Sequence, residues 1–102
     1  MNLFLNSTTN VIQNYLSLKK KVMAITKETI SGTNIICEIE SSNITKTDFN
    51  TESKKLIVDF KTGAQYEYEE VPHEVYTRFR MAESQGSFFN KNIAKVYKYK
   101  RL

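Results

Sequence analysis

Residues 56–69 read Leu56-Ile57-Val58-Asp59-Phe60-Lys61-Thr62-Gly63-Ala64-Gln65-Tyr66-Glu67-Tyr68-Glu69, and this stretch decides the fold. Leu56, Val58 and Phe60 recur at every second position, so in an extended chain they share one face. Lys61-Thr62-Gly63-Ala64 then supplies a turn, with glycine in a short connection between alternating runs. Gln65 to Glu69 returns as the second strand. The stretch predicts an antiparallel hairpin within a small sheet.

Downstream, Val71-Pro72 ends the sheet, and proline is favoured in a first helical turn, where its missing N–H costs nothing. The helix that follows carries Val75, Phe79 and Ala82 on one stripe, with steps of four and three. Gly86 reads as its C′ residue. Ser87 then caps a second, short helix holding Phe88, Phe89 and Ile93. The chain ends Val96-Tyr97-Lys98-Tyr99-Lys100-Arg101-Leu102, alternating aromatic and cationic side chains.

Upstream, Thr45 to Lys55 reads as a polar segment with one apolar break at Phe49. Residues 24–30 and 33–40 read as two strands around Ser31-Gly32, with Ile35, Cys37 and Ile39 on the apolar face. Cys37 is expected as a small core residue. Residues 8–23 show an amphipathic helical pattern through Val11, Tyr15, Leu18 and Val22. Lys19-Lys20-Lys21 falls in its last turn, where positive charge complements the helix dipole. The fold class is α+β: a small antiparallel sheet with one long and one short C-terminal helix, plus an N-terminal helix and hairpin extension. The predicted core joins Leu56, Val58, Phe60, Tyr66, Val75, Phe79, Phe88 and Ile93.

Composition limits the function classes. The chain has 102 residues, the size of one domain, with 40% hydrophobic and 25% charged residues. One cysteine excludes a disulfide within the chain and favours a reducing compartment. The sequence holds no apolar run long enough to cross a bilayer and no secretory leader pattern. A cytoplasmic protein is expected, or a virion component. The net charge of +4 is unevenly spread. Residues 41–77 hold four lysines against seven acids, whereas residues 78–102 hold seven cations against Glu83 alone. A basic end of this kind attracts phosphate or an acidic protein surface.

Several short elements, in order, carry a family resemblance. They are Ser41-Ser42-Asn43-Ile44, Leu56 to Phe60, Gly63 with Tyr66 and Tyr68, and Val71-Pro72 with Val75-Tyr76. Ala82-Glu83-Ser84 with Gly86, Phe88-Phe89-Asn90 with Asn92-Ile93, and Tyr97 with Tyr99 complete them. On these residues the stretch 41–102 resembles a KTSC domain, a short family named for its place at the C-terminus of some lysyl-tRNA synthetases. Residues 1–40 lie outside the resemblance and read as a separate extension or arm. This chain departs from the family at Phe49-Asn50-Thr51, where Tyr-Asp-Pro is common, and at Lys98, where proline is common. The family occurs as small free-standing proteins, often of phages, and as a module fused to larger enzymes. The resemblance therefore implies a binding module without catalytic activity.

The residues themselves hold little chemistry. His73 is the lone histidine and is expected on the surface. There is no zinc-ligand spacing, Walker loop or nucleophile elbow, and no cofactor or metal is called for. Glu67, Glu69, Glu70 and Glu74 read as a solvated acidic face, with Glu67 and Glu69 on one side of a strand. Ser84-Gln85-Gly86-Ser87 reads as capping. The expected function is a non-catalytic interaction module contacting nucleic acid, RNA included, or another polyanion. Its candidate residues are Arg78, Arg80, Lys91, Lys95, Lys98, Lys100 and Arg101, with Tyr97 and Tyr99 available for stacking. The alternative is a structural or assembly component, for example of a phage particle, that docks on partners or on itself through residues 1–40.

Overall fold

The computed structural model describes residues 25–102. The helix expected at 8–23, and most of the arm assigned to it, lie outside the described residues. Six strands run in chain order across one antiparallel sheet: β1 (Ile25–Ser31), β2 (Asn34–Ile39), β3 (Ile44–Asn50), β4 (Leu56–Phe60), β5 (Gln65–Tyr68) and β6 (Tyr99–Arg101). Two helices, α1 (His73–Met81) and α2 (Gln85–Asn92), intervene between β5 and β6. They have nine and eight residues, so the expected contrast of one long and one short helix is not found.

The hairpin read from 56–69 is present, with Val58 opposite Tyr66 and Leu56 opposite Tyr68. Gly63 turns it at φ +91°, a left-handed conformation that glycine adopts without strain. Ser31 pairs with Asn34 across Gly32-Thr33, so β1 and β2 extend the same sheet. Ile35, Cys37 and Ile39 of β2 enter the shared core.

The segment 45–55 corrects the sequence reading: its first half is β3. A register shift between Ile44 and Lys46 leaves both Thr45 and Lys46 exposed, and burial resumes at Thr47 and Phe49. A bulge of this kind breaks the period of two that marks a strand. The buried position at its middle is also polar. Thr47 is fully buried because its hydroxyl lies 2.9 Å from that of Tyr76, which in turn donates to Cys37 Sγ at 3.3 Å.

The helices cover one face of the sheet. On α1 the fully buried residues are Tyr76 and Phe79, whereas Val75 and Ala82 are half-buried. Phe79 holds its expected place in the stripe, but the turn before it buries Tyr76 in place of Val75, and Ala82 falls just past the helix end. A tyrosine whose hydroxyl is satisfied inside packs like any other large ring, and Tyr76 stacks on Phe49 with centroids 4.6 Å apart. Leu56, Val58, Phe79 and Ile93 are fully buried as expected, while Phe60, Tyr66, Val75 and Phe88 pack at the core's edge.

Helix boundaries differ too. Pro72 precedes α1 with extended ψ instead of forming its first turn. Gly86 is not the C′ residue of α1. The end of α1 is closed by the Gln85 side chain, whose Nε2 donates to the carbonyl of Ala82 at 2.9 Å. Ser84, not Ser87, caps α2, its hydroxyl accepting from the Ser87 N–H at 3.2 Å. Gly86 lies inside the first turn of α2, where a Cβ would stand 3.0 Å from Asn43 Oδ1. Close approach of α2 to the β2–β3 loop is what requires a glycine there.

Candidate functional site

Antiparallel pairing places directly opposed residues on the same sheet face. On the helix-covered side, one row runs Cys37, Thr47, Val58, Tyr66 and Arg101, and the next runs Ile35, Phe49, Leu56, Tyr68 and Tyr99. The helices cover both rows at the centre but not fully at the β5–β6 end. There Tyr66 and Tyr68 lie beside Tyr99, with centroids at 5.5 and 5.6 Å, and Tyr99 is 57% exposed. Phe60 closes the group edge-on to Tyr66 at 5.7 Å.

Next to these rings is a cleft of about 340 Å³. Its floor is Phe60, Tyr66 and Tyr68, and its rim includes Asn43, Lys61 and Thr62. The backbone holds the rim closed, since the Lys61 N–H donates to the Asn43 carbonyl at 2.8 Å. Asn43 is also fixed through its side chain. The Ser41 hydroxyl donates to Asn43 Oδ1 at 3.1 Å and itself accepts from the N–H groups of Asn43 and Ile44, each at 3.3 Å. Burial, together with the neighbouring Tyr66 and Tyr99, pushes the Tyr68 hydroxyl up to about 12.

The cations named from sequence fall into separate places. Arg101 projects from the same face as Tyr99 and Tyr66, at the edge of the tyrosine group. Lys100 points to the opposite face, where its Nζ lies 3.3 Å from Glu67 Oε2. Lys98 lies beside Glu69 and Glu70. Arg80 pairs with Glu28 and lies over the Tyr76 ring, and Arg78 lies over the Phe88 ring at 5.8 Å. Lys91 and Lys95 are exposed at and beyond the end of α2, while Tyr97 is half-buried against the core. The structure therefore brings together Tyr99 and Arg101, and separates both from Arg78 and Arg80.

Other candidates resolve simply. His73 is exposed and stacks near Phe49 at 5.8 Å. Cys37 is fully buried, and that burial raises its thiol above the ordinary range despite the hydrogen bond from Tyr76. Among the described residues, no three His, Cys, Asp or Glu side chains are grouped to hold a metal ion. No described helix is long and apolar enough to cross a membrane.

The KTSC domain model matches residues 40–97. The chain belongs to the KTSC domain family. It is 35% identical over 65 residues to an uncharacterized protein of Stutzerimonas stutzeri, covering 63% of this chain and 92% of that protein. The crystal structure of a KTSC domain protein from Yersinia pestis superposes with a TM-score of 0.59 at 21% identity, covering 74% of this chain and 96% of that one. That likeness shows a shared fold. Three of the elements that carried the KTSC resemblance in sequence meet at one place, for Ser42, Asn43, Phe60, Tyr66 and Tyr68 all line the cleft. Phe49 and Asn50, where this KTSC chain departs from the common pattern, serve the framework. Phe49 is buried, and Asn50 Oδ1 accepts from the N–H groups of Glu52 and Ser53 to form the β3–β4 turn.

The cleft was not found from sequence. Tyr66 was assigned to the core, and Tyr68 was read only as part of the resemblance. The signal was present in the period of two: Tyr66, Tyr68 and Tyr99 fall on one face once β6 is paired with β5.

Proposed function

We propose that this KTSC domain is a non-catalytic interaction module that binds single-stranded nucleic acid on its β5–β6 face. One observation carries the reading: Tyr66, Tyr68 and the exposed Tyr99 form an aromatic group on the same face as the cation Arg101. Rings that stack on bases beside cations that meet phosphates are the two components of single-strand recognition. Lys61 at the cleft rim, with Lys91 in the last turn of α2 and Lys95 beyond it, adds positive charge that no described acidic side chain pairs. Arg80 and Lys100 contribute less, because Glu28 and Glu67 already offset them.

The test is fluorescence anisotropy of a labelled single-stranded decamer across a salt series. With about three phosphates contacted, log K falls against log salt with a slope of about −2. Absence of binding at low salt, or binding that ignores salt, refutes the proposal.

A second reading is favoured by β1. This edge strand is exposed at every position from Thr26 to Ser31, and Ile30 is 71% exposed. An open edge invites pairing, which suits an assembly component that docks on neighbouring subunits, as in a phage particle. Sedimentation at increasing concentration tests it, and a monomer throughout would remove the self-association form.

A further inference from the structure

We infer that the cleft beside the tyrosine group is a pocket for one nucleobase of the bound strand, with the Asn43 carboxamide reading the edge of the ring. This inference rests on the nucleic-acid reading above and adds to it a specific subsite. Three observations support it.

The first is shape and lining. A space of about 340 Å³ floored by Phe60, Tyr66 and Tyr68 offers a planar ring both face and edge contacts. An aliphatic occupant would gain burial there but would not use the aromatic faces. The second is the fixed polar group. Asn43 Oδ1 is occupied by the Ser41 hydroxyl, and the carboxamide is backed by Gly86 of α2. Its Nδ2 makes no hydrogen bond to a described residue, and Asn43 is among the residues lining the cleft, so the two N–H groups of this fixed carboxamide are available to an occupant. Exocyclic carbonyls and unprotonated ring nitrogens of bases are acceptors of the matching kind. The third is charge. Lys61 lines the cleft, and Arg101 is paired on β6 with Tyr66 of the cleft floor, on the same sheet face. A base seated in the cleft would place its flanking phosphates toward these two cations.

Gly86 acquires a reason in this arrangement. A side chain there would press on Asn43 Oδ1 and displace the carboxamide of a cleft-lining residue.

The experiment compares three labelled decamers of equal phosphate number: oligo(U), oligo(dU) and an abasic strand. The expected result is that the base-bearing strands bind the wild-type chain about tenfold tighter than the abasic strand, the scale of one stacked base. Tyr66→Leu, which keeps an apolar side chain but removes the ring, should bring the base-bearing strands to the abasic level. Asn43→Ala should do the same in part, and it keeps the test alive should Tyr66→Leu fail to fold. Circular dichroism of each variant separates loss of the pocket from loss of the fold. A preference between the ribose and deoxyribose strands supports the pocket and identifies the sugar. Equal binding of all three decamers overturns the pocket and base stacking on the tyrosines, and leaves only binding of the strand through its phosphates. Failure of all three to bind overturns both.

Discussion

The chain of hydroxyls buried under α1 gives the sharpest test of the packing. Thr47, Tyr76 and Cys37 are all fully buried. The Tyr76 hydroxyl donates to Cys37 Sγ at 3.3 Å, which uses its only O–H proton. The Thr47 hydroxyl must then be the donor in its 2.9 Å bond to the Tyr76 oxygen. This direction makes the two single substitutions unequal. Tyr76→Phe keeps the ring stacked on Phe49 but leaves the Thr47 O–H as a buried donor without its partner, at a cost of about 2 kcal/mol. Thr47→Val leaves Tyr76 still bonded to Cys37 and removes only one accepted bond, costing about 1 kcal/mol. The double variant buries neither unpaired group and should cost about 1 kcal/mol, because removing both partners of a buried bond is close to neutral. The coupling across the cycle is therefore about 2 kcal/mol, well outside the error expected for independent sites. Urea denaturation of the four proteins measures it, with stability read from midpoints at constant slope. If the double variant loses the simple sum of about 3 kcal/mol, the two hydroxyls are not partners and the account of β3 as a buried strand fails.

Two further outcomes follow from the same framework. Lys54 and Glu70 both adopt left-handed backbone, with φ of 59° and 53°, and the Val71 N–H donates to the Lys54 carbonyl at 2.9 Å. That conformation costs a non-glycine residue about 1–2 kcal/mol, partly offset by the greater unfolded-state freedom of glycine, so Lys54→Gly should gain about 0.5 kcal/mol. An unchanged or lower urea midpoint counts against the strain. The tyrosines also set an alkaline limit. Tyr68 is held up to about 12, and Tyr76 is raised in the same direction, burial being the largest cause for each. Above pH 10 the unfolded chain releases these protons while the folded chain keeps them, so stability is fully present below pH 10 and falls as pH rises. The slope is up to about 1.4 kcal/mol per pH unit per tyrosine. Tyr68→Phe should remove its part of that slope between pH 10 and 12, and an identical slope in the variant would refute the assignment.

Much of the architecture was legible because alternation survives wherever one sheet face is buried and the ladder is regular. Leu56, Val58 and Phe60 show this, as do Ile35, Cys37 and Ile39. The reading failed where a local device broke the rule. In β3 the bulge after Ile44 shifted the phase, and the inward residue that followed was Thr47, whose burial depends on Tyr76, 29 positions away. On α1 the tyrosine hydroxyl concealed a core residue, so Val75 was read as the buried position that Tyr76 fills, while Phe79 was read correctly. Gly86 carried the right residue type but the wrong reason, for its neighbour Asn43 is distant in sequence. These errors share a cause: each residue answers to a partner that only the tertiary fold brings near.

The same principle governs the basic tail. Counted in sequence, residues 78–102 carry seven cations and read as one positive region. Pairing β6 with β5 divides them, since neighbouring residues on a strand point to opposite faces. Arg101 falls among the tyrosines, whereas Lys100 falls opposite Glu67, whose side chain is 12% exposed and already faces a positive charge. A ligand phosphate drawn to Lys100 would have to weaken that pair, while one drawn to Arg101 meets aromatic rings and no acidic neighbour across the strand. In the proposed function, the sign of the tail would draw a polyanion in from long distances. The face on which the polyanion would settle is chosen by the period of two, because only one side of β6 combines a cation with rings on which a base can stack.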